Sequence, residues 1–315
     1  GETVVEWTYD VFVYPKNATS EGPTKTIDTT QPGLQVGDSV NWTIEQVVPD
    51  LAPEKITTAI ITDALDARLG ANSVTVALYA EDDTEQGTNL LAAGDYTVTG
   101  VTAPVTAGGT VEVTFNSGTG LGIDKLNANV GGTIVVKVDT EVLSVGDGAI
   151  KNGPWSVDKG YKTNFNGTGI PGKTTPYSYW GLLEVTKVDE SDRALTLAGA
   201  EFSLYEKPAA GDCPAYGDID TISSLLVKKG TSGSNGKVMW GYEAGTPGNA
   251  GVSPLGLLIK NSDSAISPAP SKDFCLYETK VPAGYTVADD DRLTEVTITA
   301  GVLLAANGGE KTITN

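Results

Sequence analysis

Along much of the chain, apolar and polar residues alternate with the period of two that a half-buried strand requires. In the run Trp7-Thr-Tyr-Asp-Val-Phe-Val-Tyr14, the side chains of Trp7, Tyr9, Val11 and Val13 share one face. Pro15 cannot donate to a sheet ladder, so the strand is predicted to stop there and leave Lys16 at its end. The same reading predicts strands over 25–29, 39–47, 59–65, 73–80, 95–101, 110–116 and 132–138, with a short helix over 121–130. The segment Gly146-Asp-Gly-Ala-Ile-Lys-Asn152 then leads to a last polar strand, and a Gly/Pro/Thr-rich run over 167–176 closes this unit. A second unit opens with Trp180-Gly-Leu-Leu-Glu-Val-Thr-Lys187 and continues through 197–206, 236–240, 274–285, 293–299 and 311–315. Between its strands, the Gly/Ser/Pro-rich stretch 211–270 reads as surface loops with a short helix near 222–228. Short strands at this spacing predict an all-β protein made of antiparallel sandwiches.

A chain of 315 residues suits two domains, each large enough for its own core. The expected division is a junction strand over 1–16, one sandwich over 17–178 and a second over 179–315. The net charge of -19 opposes binding to nucleic acid or to anionic lipid. No apolar run reaches the roughly 20 residues of a membrane span, so no membrane contact is expected from this stretch. Histidine is absent, which removes Ser-His-Asp and Cys-His catalysis and the common zinc sites. With no phosphate-binding loop either, no cofactor and no metal are expected. The acidic triplets Glu81-Asp-Asp83 and Asp289-Asp-Asp291 carry oxygen ligands of the kind calcium uses, but read as solvated charge. Cys213 and Cys275 lack metal-site spacing; in a secreted β protein they read as a disulfide, the alternative being two buried free thiols.

Ordinary packing does not explain a set of polar residues at core parity. Leu183, Val185 and Lys187 share one strand face; Phe274, Leu276 and Glu278 share another; Ile313 and Asn315 share a third. A buried Lys and a buried Glu are costly unless paired. The first unit repeats the pattern with Ile61, Asp63 and Leu65, with Lys25 beside Ile27, and with Asn152 in phase with Ile150. Asn164 and Asn166 are the alternatives to Asn152.

Two motifs resemble those of the sortase-assembled Gram-positive pilins. Residues 7–16 are similar to the pilin motif Trp-x-x-x-Val-x-Val-Tyr-Pro-Lys. Phe274-Cys-Leu-Tyr-Glu-Thr-Lys-Val-Pro-Ala-Gly-Tyr285 is similar to the E-box Tyr-x-Leu-x-Glu-Thr-x-x-Pro-x-Gly-Tyr, with only the first aromatic changed. The resemblance implies two tandem immunoglobulin-like sandwiches, of the collagen-adhesin A type and then the B type. It implies a major pilin, the shaft subunit of a covalent fimbria, and is closest to the actinobacterial ones. Lys16 would be the amine that a pilin-specific sortase joins to the neighbouring subunit. Each sandwich would also hold an intramolecular isopeptide bond: Lys187 to Asn315 with Glu278 as the catalytic carboxyl, and Lys25 to Asn152 with Asp63 in that role. After Asn152 this chain has Gly where the family has a Thr-Ala pair.

The family chemistry follows from burial, which lowers a lysine pKa and raises a carboxyl pKa. A neutral amine then attacks the asparagine carbonyl while the carboxyl polarises it and shuttles protons. This is single-turnover self-modification, so the chain is not expected to be an enzyme. The resemblance further implies an N-terminal domain before Trp7, a sorting signal after Asn315, and a wall-anchored extracellular location. The competing reading is a surface adhesin or tip pilin that binds a host or bacterial ligand directly. Such a protein keeps the sandwiches but has no need of the Tyr-Pro-Lys motif.

Overall fold

The computed structural model describes residues 21–31, 34–241 and 251–315, so the run 7–16 and Lys16 lie outside the described residues. The first part of the chain forms β1 (Thr24–Ile27), β2 (Ser39–Val47), β3 (Ala59–Ala64), β4 (Leu69–Tyr79), β5 (Tyr96–Thr99) and β6 (Thr110–Phe115). Helix α1 (Gly122–Ala128) follows, then β7 (Thr133–Val142), β8 (Ala149–Lys151), β9 (Gly160–Phe165) and β10 (Thr168–Pro171). Two sheets, ordered β1-β2-β7-β4 and β10-β9-β3-β6-β5, face each other. Val40, Trp42 and Ile44 of β2 alternate inward against Ile61 of β3 and Val111 and Val113 of β6. Fully burying one such side chain contributes about 1.5–3 kcal/mol, so strict alternation is enough to hold the register.

The second part forms β11 (Tyr177–Val188), β12 (Glu201–Glu206), β13 (Leu226–Ser232), β14 (Val238–Trp240), β15 (Leu255–Ser262), β16 (Ser271–Lys280), β17 (Leu293–Thr299) and β18 (Glu310–Thr314). One sheet is β15-β11-β18, the other β14-β13-β12-β16-β17. The paired strands run antiparallel except β11 and β18, the first and last of this unit, which lie side by side and parallel.

The 211–270 stretch departs from its expected loop character. Besides β14, which falls within the expected 236–240 segment, it contains β13 and β15, and its helix is a 3-10 segment at Tyr216–Leu225, ending before the residues 226–228 that join β13. Composition masked the run Leu255-Gly-Leu-Leu-Ile259, which is apolar on both faces because both are covered. Leu255, Leu257 and Ile259 enter the second core, while Leu258 enters the first. The 167–176 run likewise holds strand β10 rather than loop alone.

The two units are joined through backbone. β8 leaves the first sandwich's sheets to pair with β11, setting Lys151 against Tyr177, Ile150 against Ser178 and Ala149 against Tyr179. Leu34 and Val36 bond to β15 through Leu258 N–H to Leu34 O (2.9 Å) and Val36 N–H to Gly256 O (3.0 Å). A Cβ on Gly256 would stand 2.4 Å from Val36, so the approach needs glycine there.

Candidate cross-linking sites

In the first sandwich, β1 carries Lys25 from one sheet and β3 carries Asp63 from the other, with exposures of 0% and 1%. Lys25 Nζ contacts Asp63 Oδ2, and Asn152 Nδ2 donates to Asp63 Oδ1 at 2.6 Å. The chain beyond β8 thus brings Asn152 to the carboxyl's second oxygen. Burial pushes the Lys25 amine below its usual range, against the pull of Asp63. Two ring faces complete the enclosure, with Nζ 5.3 Å from the Trp42 centroid and 5.5 Å from that of Tyr161. Of the asparagines considered from the sequence, Asn164 sits on β9 between the inward Thr163 and Phe165 and so faces out. Asn166 is exposed and spends its side chain on the Thr57 and Thr58 amides and the Lys55 carbonyl.

In the second sandwich, Lys187 on β11 and Glu278 on β16 come from opposite sheets and are 0% and 2% exposed. Lys187 Nζ lies 3.4 Å from Glu278 Oε2, within ion-pair reach but without a hydrogen bond. Asn315, following β18, donates from Nδ2 to Glu278 Oε1 at 2.9 Å. Burial lowers the Lys187 amine and raises the Glu278 carboxyl, each opposed by the other's charge. Glu278 is also opposed by its bond from Asn315. In both sites the asparagine Oδ1 is buried with no hydrogen-bond partner, as is Lys187 Nζ. Buried polar atoms are seldom left so. Here the orphans are the amide oxygens that would be kept in an amide bond, and in the second site the amine that would make it.

The E-box residues have separable jobs. Phe274, Leu276 and Glu278 point into the core. On the other face, Cys275 and Tyr277 are covered by Tyr205, Ile222 and Cys213, and Cys213 and Cys275 form a disulfide with 5.7 Å between Cα atoms. Tyr277 O–H also donates to Pro214 O at 2.7 Å. Gly284 takes a φ of 88°, open to glycine, and the turn lets Tyr285 O–H reach Asp189 Oδ2 at 2.8 Å, two residues past Lys187. Alternation alone did not single out Trp42 and Tyr161 as walls of the first site, since both look like ordinary core aromatics in sequence. The acidic triplets are taken up locally: Asp83 accepts from the Gly87 and Thr88 amides, and Asp289 from Arg292. Among the described residues, no group of His, Cys, Asp and Glu is placed to hold a metal, and no helix is long and apolar enough to cross a membrane.

Two tandem β-sandwiches, each bringing a lysine, a carboxyl and an asparagine together, give this chain the fold of solved fragments of Gram-positive pilins. Over most of its length the chain is similar in sequence to actinobacterial fimbrial subunits. It is 32% identical to "Fimbrial subunit type 2" of Actinomyces naeslundii over 318 residues, covering 94% of this chain and 54% of that protein. The chain thus spans about half the length of this relative. Its fold is similar to domains D2 and D3 of the major pilin SpaD of Corynebacterium diphtheriae, with 22% identity, a TM-score of 0.59, and 92% and 96% of the two chains covered. It is also similar to the Actinomyces fimbrial adhesin FimA, with 22% identity, a TM-score of 0.60, and 89% and 97% covered. No family model matches the chain.

Proposed function

We propose that this chain is part of the shaft subunit of a covalently polymerised, wall-anchored fimbria, welded internally by two isopeptide bonds and to its neighbours through Lys16. The observation that carries the reading is the meeting of Lys, carboxyl and Asn twice over, at Lys25–Asp63–Asn152 and Lys187–Glu278–Asn315. In each trio the carboxyl faces both the amine and the amide nitrogen, not the amide oxygen. The protonated carboxyl is therefore positioned to give its proton to Nδ2 as the old N–C bond breaks and to recover one from Nζ as the new bond forms. Atoms balance as amine plus primary amide giving secondary amide plus ammonia. Glu278 and Asp63 are restored at the end, and each site turns over once.

A bond from Lys187 to Asn315 joins the first strand of its sandwich to the last, which already lie side by side. Tension along the fibre then passes from β11 across a covalent link and out, bypassing β12–β17. Hydrogen-bond ladders alone would unzip. This suits a shaft more than an adhesin, whose ligand face needs no such path.

The intact mass tests the welds: the expected value is the sum of residues less two ammonia molecules and, for the disulfide, two hydrogens. Linked peptides should join Lys25 to Asn152 and Lys187 to Asn315, and a plain sum of residues overturns the reading. The outward weld is tested with a pilin sortase and a sorting-signal peptide. An adduct is expected at Lys16 and should vanish in Lys16→Arg; adducts spread over other lysines, or none, would favour the adhesin reading.

Closure of the second bond should also depend on pH in a definite way. The reactive pair holds one proton, with amine neutral and Glu278 protonated. Acid adds a second proton to the amine and stops attack; alkali removes the one on Glu278 and leaves no acid for the departing nitrogen. Because the amine is depressed and the carboxyl raised, the rate should be bell-shaped with its top between the two ordinary ranges. A rate that climbs steadily through the usual lysine range would show an ordinary exposed amine at work.

A further inference from the structure

Both strands that must meet for the first bond are gripped by the second sandwich. On the donor side, Ile27 N–H, two residues from Lys25, donates to Asp263 Oδ1 at 2.9 Å, and Asp28 O accepts from Asn261 Nδ2 at 2.7 Å. Asn261 is buried and its Oδ1 accepts from Ser178 Oγ at 2.7 Å, which in turn accepts from Trp180 Nε1 at 2.7 Å. On the acceptor side, β8 pairs with β11 and with no other strand among the described residues. Trp180 N–H donates to Gly148 O at 2.7 Å, and Asn152 N–H to Pro176 O at 3.3 Å. Asn152 therefore reaches Asp63 from a strand that belongs to the second sandwich's sheet. β11 does double duty: its first residues hold the strand before Asn152, and its far end carries Lys187.

We infer that the second sandwich is the jig for the first bond: by holding β1 through Asn261 and Asp263 and β8 through β11, it sets Lys25 and Asn152 in bonding position, making Asn261, Asp263 and Gly148 positioning residues for a reaction in the other domain. The inference rests on the isopeptide reading and adds a direction of dependence to it. A reaction between fixed groups is sensitive to misplacements of about 1 Å, so loosening either grip should slow the first bond specifically. The second bond has all three of its residues on β11, β16 and the end of β18, and should not feel the change.

The chain is synthesised in a cell-free system, quenched in acid at intervals and read by peptide mass for each linkage. Gly148→Ala is the strongest probe, since its φ is +87° and a Cβ would stand 2.2 Å from Gly301 N and 2.7 Å from Trp180 O. Asp263→Ala removes an exposed acceptor with little risk to folding, and Asp263→Asn keeps an acceptor oxygen. The expected result is closure of Lys25–Asn152 slowed about tenfold or more in Gly148→Ala and severalfold in Asp263→Ala, with rescue in Asp263→Asn and Lys187–Asn315 closing at the wild-type rate throughout. Unchanged first-bond kinetics, or both bonds slowed alike, overturns the jig while leaving the bonds themselves standing. A wild-type chain that never links Lys25 to Asn152 overturns the reading beneath it, and the jig with it.

Discussion

Asn315→Ala should leave the second sandwich folded but unwelded, retaining one isopeptide linkage where two are proposed for the wild type. The side chain lost is small and half-exposed, and the Lys187–Glu278 pair stays in place, so the change isolates the cross-link. Constraining a loop of more than a hundred residues stabilises by about 5 kcal/mol in the chain-entropy treatment. That corresponds to a fall of roughly 15 °C or more in the melting temperature of a domain this size. Glu278→Ala should be worse. It also prevents the bond, and it strands Lys187, 0% exposed, without a partner. Breaking a buried pair by deleting one member costs about 3–5 kcal/mol beyond the cross-link. Calorimetry and intact mass on the two variants give the decision: equal melting points would mean that Glu278 does nothing but serve the bond, and a wild-type melting point in Asn315→Ala would mean that no bond was there to lose.

Asp63→Ala is expected to be the most damaging single change in the first sandwich. Lys25 is wholly buried between Trp42 and Tyr161, and Asp63 is its one ion-pair partner among the described residues. Without Asp63 the amine keeps only the ring faces, whose attraction for a cation is about 0.5–2 kcal/mol. The amine must then go neutral or leave the core, and the link to Asn152 is not made. We expect loss of about 5 kcal/mol or more, a mass one ammonia above that calculated for the same variant with both bonds closed, and trypsin cleavage after Lys25, which a linked wild type should resist. Asp63→Asn keeps the size and removes the charge. It should also fail to link, since an amide cannot relay the proton. A linked Asp63→Asn chain would show that burial and proximity suffice without an acid.

How much of this could be read from residues varies with the physics involved. The second trio was legible because each member sits at core parity on its own strand: Lys187 after Leu183 and Val185, Glu278 after Leu276, and Asn315 after Ile313. Local alternation says which way a side chain points, and the E-box says which strand is which. The first site was half legible. Parity marked Lys25 and Asp63 and put Asn152 in phase with Ile150, but excluding Asn164 and Asn166 requires knowing which strands end at the same place. β9 turns Asn164 outward, a turn consumes Asn166, and only β8 delivers its asparagine to Asp63.

The sequence by itself determined the all-β character, the two units, the polar residues bound for the cores and the pair of cysteines, because period-two patterning and residue chemistry are local properties. Tertiary structure alone decided that Leu255–Ile259 is a strand covered on both faces, that Trp42 and Tyr161 enclose Lys25, and that β8 pairs across the domain junction with β11. Those facts depend on which distant segments share a sheet, and strand partnership is settled by long-range hydrogen bonding and packing that no window of neighbouring residues encodes.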